Sequence, residues 1–275
     1  MKTKRRYGLW GEIMGLLPVK WTLLSLLLVL FAAAGLAYTL WMDWLKGVQV
    51  EQTLADAKTL GNLFYYTFGG FTREEASMTR TIYYLTLVVP IHVFVGVYLT
   101  RSNLPWQWLA AIRMGGVGAW WRRKIIVVLV GAVGYRLAQM LLALLAGCLL
   151  LRVEVFPLRW GQVFQIVGVQ LTQLCMLTLI QLSIQVLFGD ARWSFGALML
   201  LWIGGIAAVI PPMSQVSAQV LPGLWGVWRQ SLSGGDALGF APGATMLAEL
   251  LIGAGCCAAT GCYLRRRGLA QLPER

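Results

Sequence analysis

Long apolar runs alternate with short polar stretches along this chain, and the length of the runs decides the class of protein. A helix crossing a bilayer core needs about 20 apolar residues. Six runs meet or approach that length: Trp21 to Trp41, Ile82 to Thr100, Ile125 to Leu151, Val163 to Phe188, Trp193 to Ile210 and Ala244 to Leu264. The pattern predicts an all-α membrane protein with six transmembrane helices. Ahead of the first run, "GLWGEIMGLLPVKW" sets Leu9, Trp10, Ile13, Leu16 and Leu17 at helical spacing. Residues 1–20 therefore read as an amphipathic helix lying in the membrane interface and stopped near Pro18.

The connecting segments differ in kind. The stretch from Asp43 to Thr81 is mixed in charge and reads as a solvated cap with some helix. Residues 211–243 contain "AQVLPGLWGVW", too apolar for a free loop and too broken by Pro222 and Gly223 to span. Such a segment is expected to be re-entrant. No stretch is long and polar enough to form a separate soluble domain, so residues 1–275 read as one transmembrane domain.

Composition agrees: 58% of the 275 residues are hydrophobic, 12% are charged, and the mean hydropathy is +0.68. Charge then orients the spans, because cationic loops are retained in the cytoplasm. The two termini and the loops after the second and fourth runs hold 15 of the 23 Lys and Arg residues, and the opposite loops hold 7. Both termini are predicted to be cytoplasmic. Three acids fall on the inner side and seven on the outer, so the inner face carries the whole net charge of +12. Anionic lipid head groups suffice as counterions, and nucleic acid is not expected as a partner. Trp21, Trp41, Trp44, Trp160 and Trp193 stand at span ends, where aromatic belts form.

Polar groups within the runs are the candidates for chemistry. Arg136 lies near the middle of the third run, and Glu249, in the sixth, is the membrane-embedded acid. At 1.5 Å per residue, Arg136 is roughly 17 Å from the inner boundary and Glu249 roughly 8 Å from the outer one, so their depths differ by about 5 Å in a core of about 30 Å. They are expected either to pair and fix helix packing or to line a substrate path. His92 follows Pro90, and bonding to a carbonyl freed by the proline is the simpler role for it. The fourth run carries Gln162, Gln165, Gln170, Gln173, Gln181 and Gln185, a sector of about 200° that should hydrogen-bond to other helices or face a cavity. Small residues recur every fourth position in the sixth run, as Gly253, Cys257, Gly261 and as Ala254, Ala258, Cys262, which marks a close-packed interface.

No phosphate loop, G-x-S-x-G or H-E-x-x-H is present, and one histidine cannot supply the usual paired catalytic sets. The five cysteines sit in apolar runs and are expected to behave as small hydrophobic side chains. No catalytic residue, metal site or resident cofactor is predicted, and an enzyme is not expected.

The organisation as a whole resembles the permease subunit of the ABCG-like, type V class of ATP-binding-cassette exporters. The interfacial helix, six spans, an inner loop at 101–124 and the broken segment at 211–243 carry that likeness over nearly the whole chain. Locally, "IRMGGVGAWWRRKII" (Ile112 to Ile126) is similar to a pattern "hRhGSrrrWWhxKhh", h being apolar, of bacteriocin and lantibiotic export or immunity permeases. It keeps Arg113, Gly115, Trp120, Trp121 and Lys124 and departs at Gly116, Val117, Gly118 and Ala119.

The resemblance implies a multi-pass protein of a bacterial plasma or inner membrane. It implies two copies of a separate ATP-binding cassette subunit, which bind ATP and Mg, and a second permease, identical or related. Residues 101–124 would form a coupling element, with Pro105 to Met114 as its helical body and Trp106, Trp108, Arg113, Gly115, Trp120, Trp121 and Lys124 as its partner-binding residues. Gly115, Gly116 and Gly118 would allow a tight reversal, while Trp120 and Trp121 held the next span at the interface. A peptide, antibiotic or lipid would be exported. The alternative is an ion-coupled or passive carrier acting without an ATPase, for which Arg136, Glu249 and His92 matter most.

Overall fold

A computed structural model describes residues 8–45, 60–69, 78–100, 110–151, 160–209 and 241–267. Eight helices are described: α1 (Leu9–Leu16), α2 (Val19–Leu45), α3 (Leu60–Phe68), α4 (Met78–Thr100), α5 (Val117–Leu151), α6 (Trp160–Phe188), α7 (Ala191–Val209) and α8 (Pro242–Arg267). No strand occurs among the described residues. Each of the six apolar runs falls in one helix, except that Ile210 lies outside the described residues.

Three helices, at Val117–Leu150, Trp160–Phe188 and Pro242–Arg266, are long and apolar enough to cross a membrane. The bent pair formed by α1 and α2 makes a fourth candidate. A shorter apolar helix occupies Ile82–Tyr98. Among its described residues the chain is all-helical, with three to four helices able to cross a membrane, which makes it a membrane protein.

Hydrogen bonds reveal the helix directions. Side chains of α6 meet α4 at Gln173–Tyr84, Gln181–His92 and Gln185–Gly96, each pair 89 residues apart. A constant offset means that α4 and α6 run parallel. Glu249 meets Thr172 at an offset of 77, and Gly253 packs on Met176 with the same spacing, so α8 is parallel to α6 as well. In α5 the order inverts: Lys124 meets Tyr98, and Arg136, further along, meets the earlier Leu87. α5 returns between its neighbours, as helices joined by short connections across a slab must do.

α6 is the central helix, packed against α3, α4, α5, α7 and α8. This explains its glutamines. Gln170, Gln173, Gln181 and Gln185 are buried because protein surrounds α6, and each meets a partner on another element. On α8 one small-residue row serves the contact: Gly253 lies against Met176 and Leu179, Cys257 is buried, and Gly261 lies against Trp121. The other row, Ala254, Ala258 and Cys262, is exposed. All five cysteines are free thiols.

The proline after α1 acts as expected. Leu17 leaves helical geometry at φ −109° and ψ 79°, and the chain bends by 54° into α2. Ile13 and Leu16 face inward onto α4 and α5, while Trp10 remains 73% exposed.

The described part of 43–81 departs from expectation. α3 is no part of a solvated cap: Leu63, Phe64, Thr67 and Phe68 are buried, and Leu63 fits against Gly147 of α5. Phe64, Tyr65 and Phe68 give this short helix enough apolar surface to insert between α5 and α6. The re-entrant reading of 211–243 falls largely outside the described residues, as do both termini.

Candidate functional site

Two polar constellations stand out, one at the end of the bundle and one in its interior. The first surrounds the start of α5. Residues 110–113 form a helical turn that stops at two glycines: Gly115 has φ 85° and Gly116 φ 121°. The Gly116 N–H donates to Ala111 O at 2.8 Å and the Gly115 N–H to Ile112 O at 3.1 Å, the paired bonds of a Schellman stop. A new helix begins at once, with the Trp120 N–H donating to Gly116 O. Gly115 and Gly116 thus make the tight reversal. Gly118 does not: it is helical within α5 and packs against the guanidinium of Arg265.

Trp120, Trp121 and Lys124 were expected in the loop at 101–124. They belong to α5 rather than to a loop, because its 35 residues span about 52 Å and outreach a hydrocarbon core of about 30 Å. Nor do the two tryptophans anchor in an interface. Both are buried, their rings 6.3 Å apart, and Trp121 Nε1 donates to Cys257 O at 3.0 Å. They join α5 to α8. Exposed Trp10, Trp21, Trp160 and Trp193 are the described tryptophans that suit a lipid belt.

Arg123 and Lys124 are held from the other side by α1. Glu12 Oε1 lies 2.8 Å from Arg123 Nε, and Glu12 Oε2 lies 3.3 Å from Lys124 Nζ. The Tyr98 hydroxyl donates to Glu12 Oε2 at 2.9 Å and accepts from Lys124 Nζ at 2.8 Å. One carboxylate therefore ties α1, α4 and α5 at a point where cations crowd. Neither Glu12 nor Tyr98 was singled out in the sequence. The signal was available: Glu12 is the one acid of an amphipathic helix flanked by Arg and Lys residues. Arg113 is exposed beside the glycine stop, as is Gly115, whereas Trp106 and Trp108 lie outside the described residues.

Comparison with known protein families, with curated proteins and with solved structures found no match. The interpretation of both constellations consequently rests on their geometry and chemistry.

The second constellation lies between α4, α5, α6 and α8. Arg136 is 4% exposed. Its Nη2 donates to Gln170 Oε1 at 2.6 Å, and its Nη1 donates to Leu87 O and Gln139 Oε1 at 3.4 Å each. The Gln170 amide nitrogen donates in turn to Phe68 O, which links the guanidinium to α3. Pro90 leaves the carbonyl of Thr86 without its helical N–H, and the guanidinium bonds to the adjacent carbonyl, Leu87 O, in the same turn of α4.

Arg136 and Glu249 do not form the expected ion pair. Glu249 is fully buried on α8 and its Oε2 accepts from the Thr172 hydroxyl. Gln170 and Thr172 are two residues apart on α6, hence about 200° apart around its axis. The two charged groups contact opposite sides of one helix. Estimated depth brought them together; azimuth separates them.

His92 is fully buried, and its ring contacts are with side chains, not with a freed carbonyl. Nδ1 lies 2.9 Å from Gln181 Oε1, and Nε2 lies 3.4 Å from Trp202 Nε1, an indole N–H that can only donate. These partners assign a neutral ring with its proton on Nδ1. Gln181 Nε2 closes the loop by donating to His92 O at 2.7 Å. His92 therefore bridges α4, α6 and α7. Among the described residues, no three His, Cys, Asp or Glu side chains gather as a metal site would require.

Proposed function

We propose that this chain is the transmembrane permease subunit of an ATP-driven exporter of the ABCG-like, type V class. Six spans with cytoplasmic termini form the path for a peptide, antibiotic or lipid, and a separate ATP-binding subunit docks on 101–124. The observation that carries the reading is the junction at Gly115–Gly116. A helical turn stops, reverses over two residues and continues as α5, whose first turns are fastened to α1 through Glu12 and to α8 through Trp121. Force applied at such a junction is delivered to three helices together, because little soft chain lies between the docking point and the bundle. Loose loops absorb displacement; a helix with tied ends transmits it.

Charge reversal at Arg113, which is exposed and outside the fastening contacts, tests the docking role. Arg113→Glu is expected to abolish association with the ATPase while membrane insertion and thermal stability stay unchanged. Association at the normal level would remove the junction as the docking point.

One observation favours a carrier that works alone: Glu249 Oε1 is buried without a hydrogen-bond partner, as a proton- or cation-coupled site would have it. Transport in vesicles containing this chain alone, driven by an ion gradient and lost in Glu249→Gln, would establish that reading instead.

A further inference from the structure

Glu249 is fully buried in the contact between α6 and α8, and no cation pairs with it among the described residues. Protein fills the contact about one turn to either side of it. A Cβ on Gly168 would stand 2.8 Å from Met246 Sδ, and one on Gly253 would stand 3.3 Å from Met176 Cα. The titratable neighbours bring no positive charge. They are Cys175, one turn beyond Thr172 on α6, and Tyr84 of α4, whose hydroxyl is engaged with Gln173. α5 also packs on α8, but through Trp121 and Gly118 at Cys257, Gly261 and Arg265, two turns or more past Glu249.

The hydrogens available decide the state of this carboxyl. Thr172 has one hydroxyl proton and three acceptors around it: Gly168 O at 2.9 Å, Val169 O at 3.2 Å and Glu249 Oε2. An ionised Glu249 would receive at most that one bond, in competition with two carbonyls, and its Oε1 would receive none. A buried charge met so poorly is strongly disfavoured. With a proton on Glu249, Oε2–H donates to Thr172 Oγ1, which reverses that bond, and the Thr172 hydroxyl donates to Gly168 O. Each donor then has its own acceptor. A metal cation in place of the proton would need several ligands at once, and among the described residues no three His, Cys, Asp or Glu side chains gather to supply them.

We infer that Glu249 is a proton-binding site sealed in the α6–α8 contact, holding its proton while the helices are packed and releasing it when they part. On separation the Oε2–H bond breaks, the proton passes to water, and the electron pair stays on the carboxylate. Repacking requires the proton again, so movement of α8 against α6 is linked to proton uptake and release. The ion considered above is thereby a proton, and the site holds it whether a gradient or an ATPase drives the chain.

Infrared spectra of the full-length protein, in a detergent without ester groups at neutral pH, provide the test. Exposed carboxyls are ionised there, so the carbonyl stretch of a protonated carboxyl is expected in the native protein and absent from Glu249→Gln. Thr172→Val removes the hydrogen-bond partner and should move that band to higher frequency. Unfolding gives a second reading. The folded protein keeps a proton that the unfolded chain releases above about pH 4.3, so stability is lost as the pH rises from there. The native unfolding midpoint should therefore fall relative to that of Glu249→Gln between about pH 5 and about pH 8.

Neither readout depends on transport. Absence of the acid band, or midpoints that run in parallel, would show that the carboxyl is ionised in the packed state and would overturn the site. Where Glu249→Gln does not fold, a band left unmoved by Thr172→Val overturns it as well.

Discussion

Replacing Gln170 with leucine is expected to destabilise the protein more than any other single substitution at a glutamine of α6. The side chain is buried and serves two elements at once: its Oε1 takes the 2.6 Å bond from Arg136, and its Nε2 supplies Phe68 O of α3. Leucine has a similar volume, so packing changes little. What changes is that a buried guanidinium loses its shortest bond and a buried carbonyl loses its donor. Losing a hydrogen bond to a charged group costs about 1.5–3 kcal/mol, and leaving a buried carbonyl unsatisfied adds about 1–3 kcal/mol. Gln162→Leu, at a half-buried position on the same helix, should cost less than about 1 kcal/mol.

Thermal or denaturant unfolding in detergent compares the two directly. Equal losses would show that the bonds of Gln170 carry no special weight. The double variant Arg136→Leu, Gln170→Leu should recover much of the loss, because removing both partners leaves an apolar contact instead of an uncompensated charge.

Charge reversal at Glu12 is expected to release α1 from the base of α4 and α5. In the native protein this carboxylate faces Arg123, Lys124 and the Tyr98 hydroxyl. Lys124 is 7% exposed and depends on Glu12 for its counter-charge, whereas the Arg123 pair is more open to water and contributes less. Glu12→Lys should cost about 2 kcal/mol or more, since it removes hydrogen bonds to a charged group and adds repulsion from two cations. Limited proteolysis should then cut near Pro18, where the chain already bends. Exchanging the charges, as Glu12→Lys with Lys124→Glu, should restore part of the protection. Protection that is the same in all three proteins would mean that the apolar contacts of Ile13 and Leu16 hold α1 unaided.

These two sites show what the residues disclosed and what they concealed. Each apolar run reported its helix because hydrophobic length is a local property, readable one residue at a time. The burial of four of the six α6 glutamines, Gln170, Gln173, Gln181 and Gln185, was legible for the same reason, since a helix polar over so wide a sector needs neighbours on most sides, while Gln162 and Gln165 are half-buried. Pairing was another matter. Arg136 and Glu249 were matched in depth, yet which way each points around its axis depends on where α6 stands, and no single run contains that information. The tryptophan pair followed a similar course: Trp120 and Trp121 at a span end read as lipid anchors, but α5 extends past the apolar core, both rings are buried, and Trp121 bonds to α8. α3 was hidden because nine residues are too few to announce insertion between two longer helices.

The assignment of the chain to an ATP-driven exporter depends most on a partner that takes hold at 101–124. Purification from native membranes in mild detergent, followed by mass spectrometry of every accompanying chain, addresses this at once. The account predicts an ATP-binding cassette subunit in equal molar amount with permease chains, and its disappearance in Arg113→Glu. A protein that purifies without any nucleotide-binding partner, and that transports in vesicles without ATP, would contradict it.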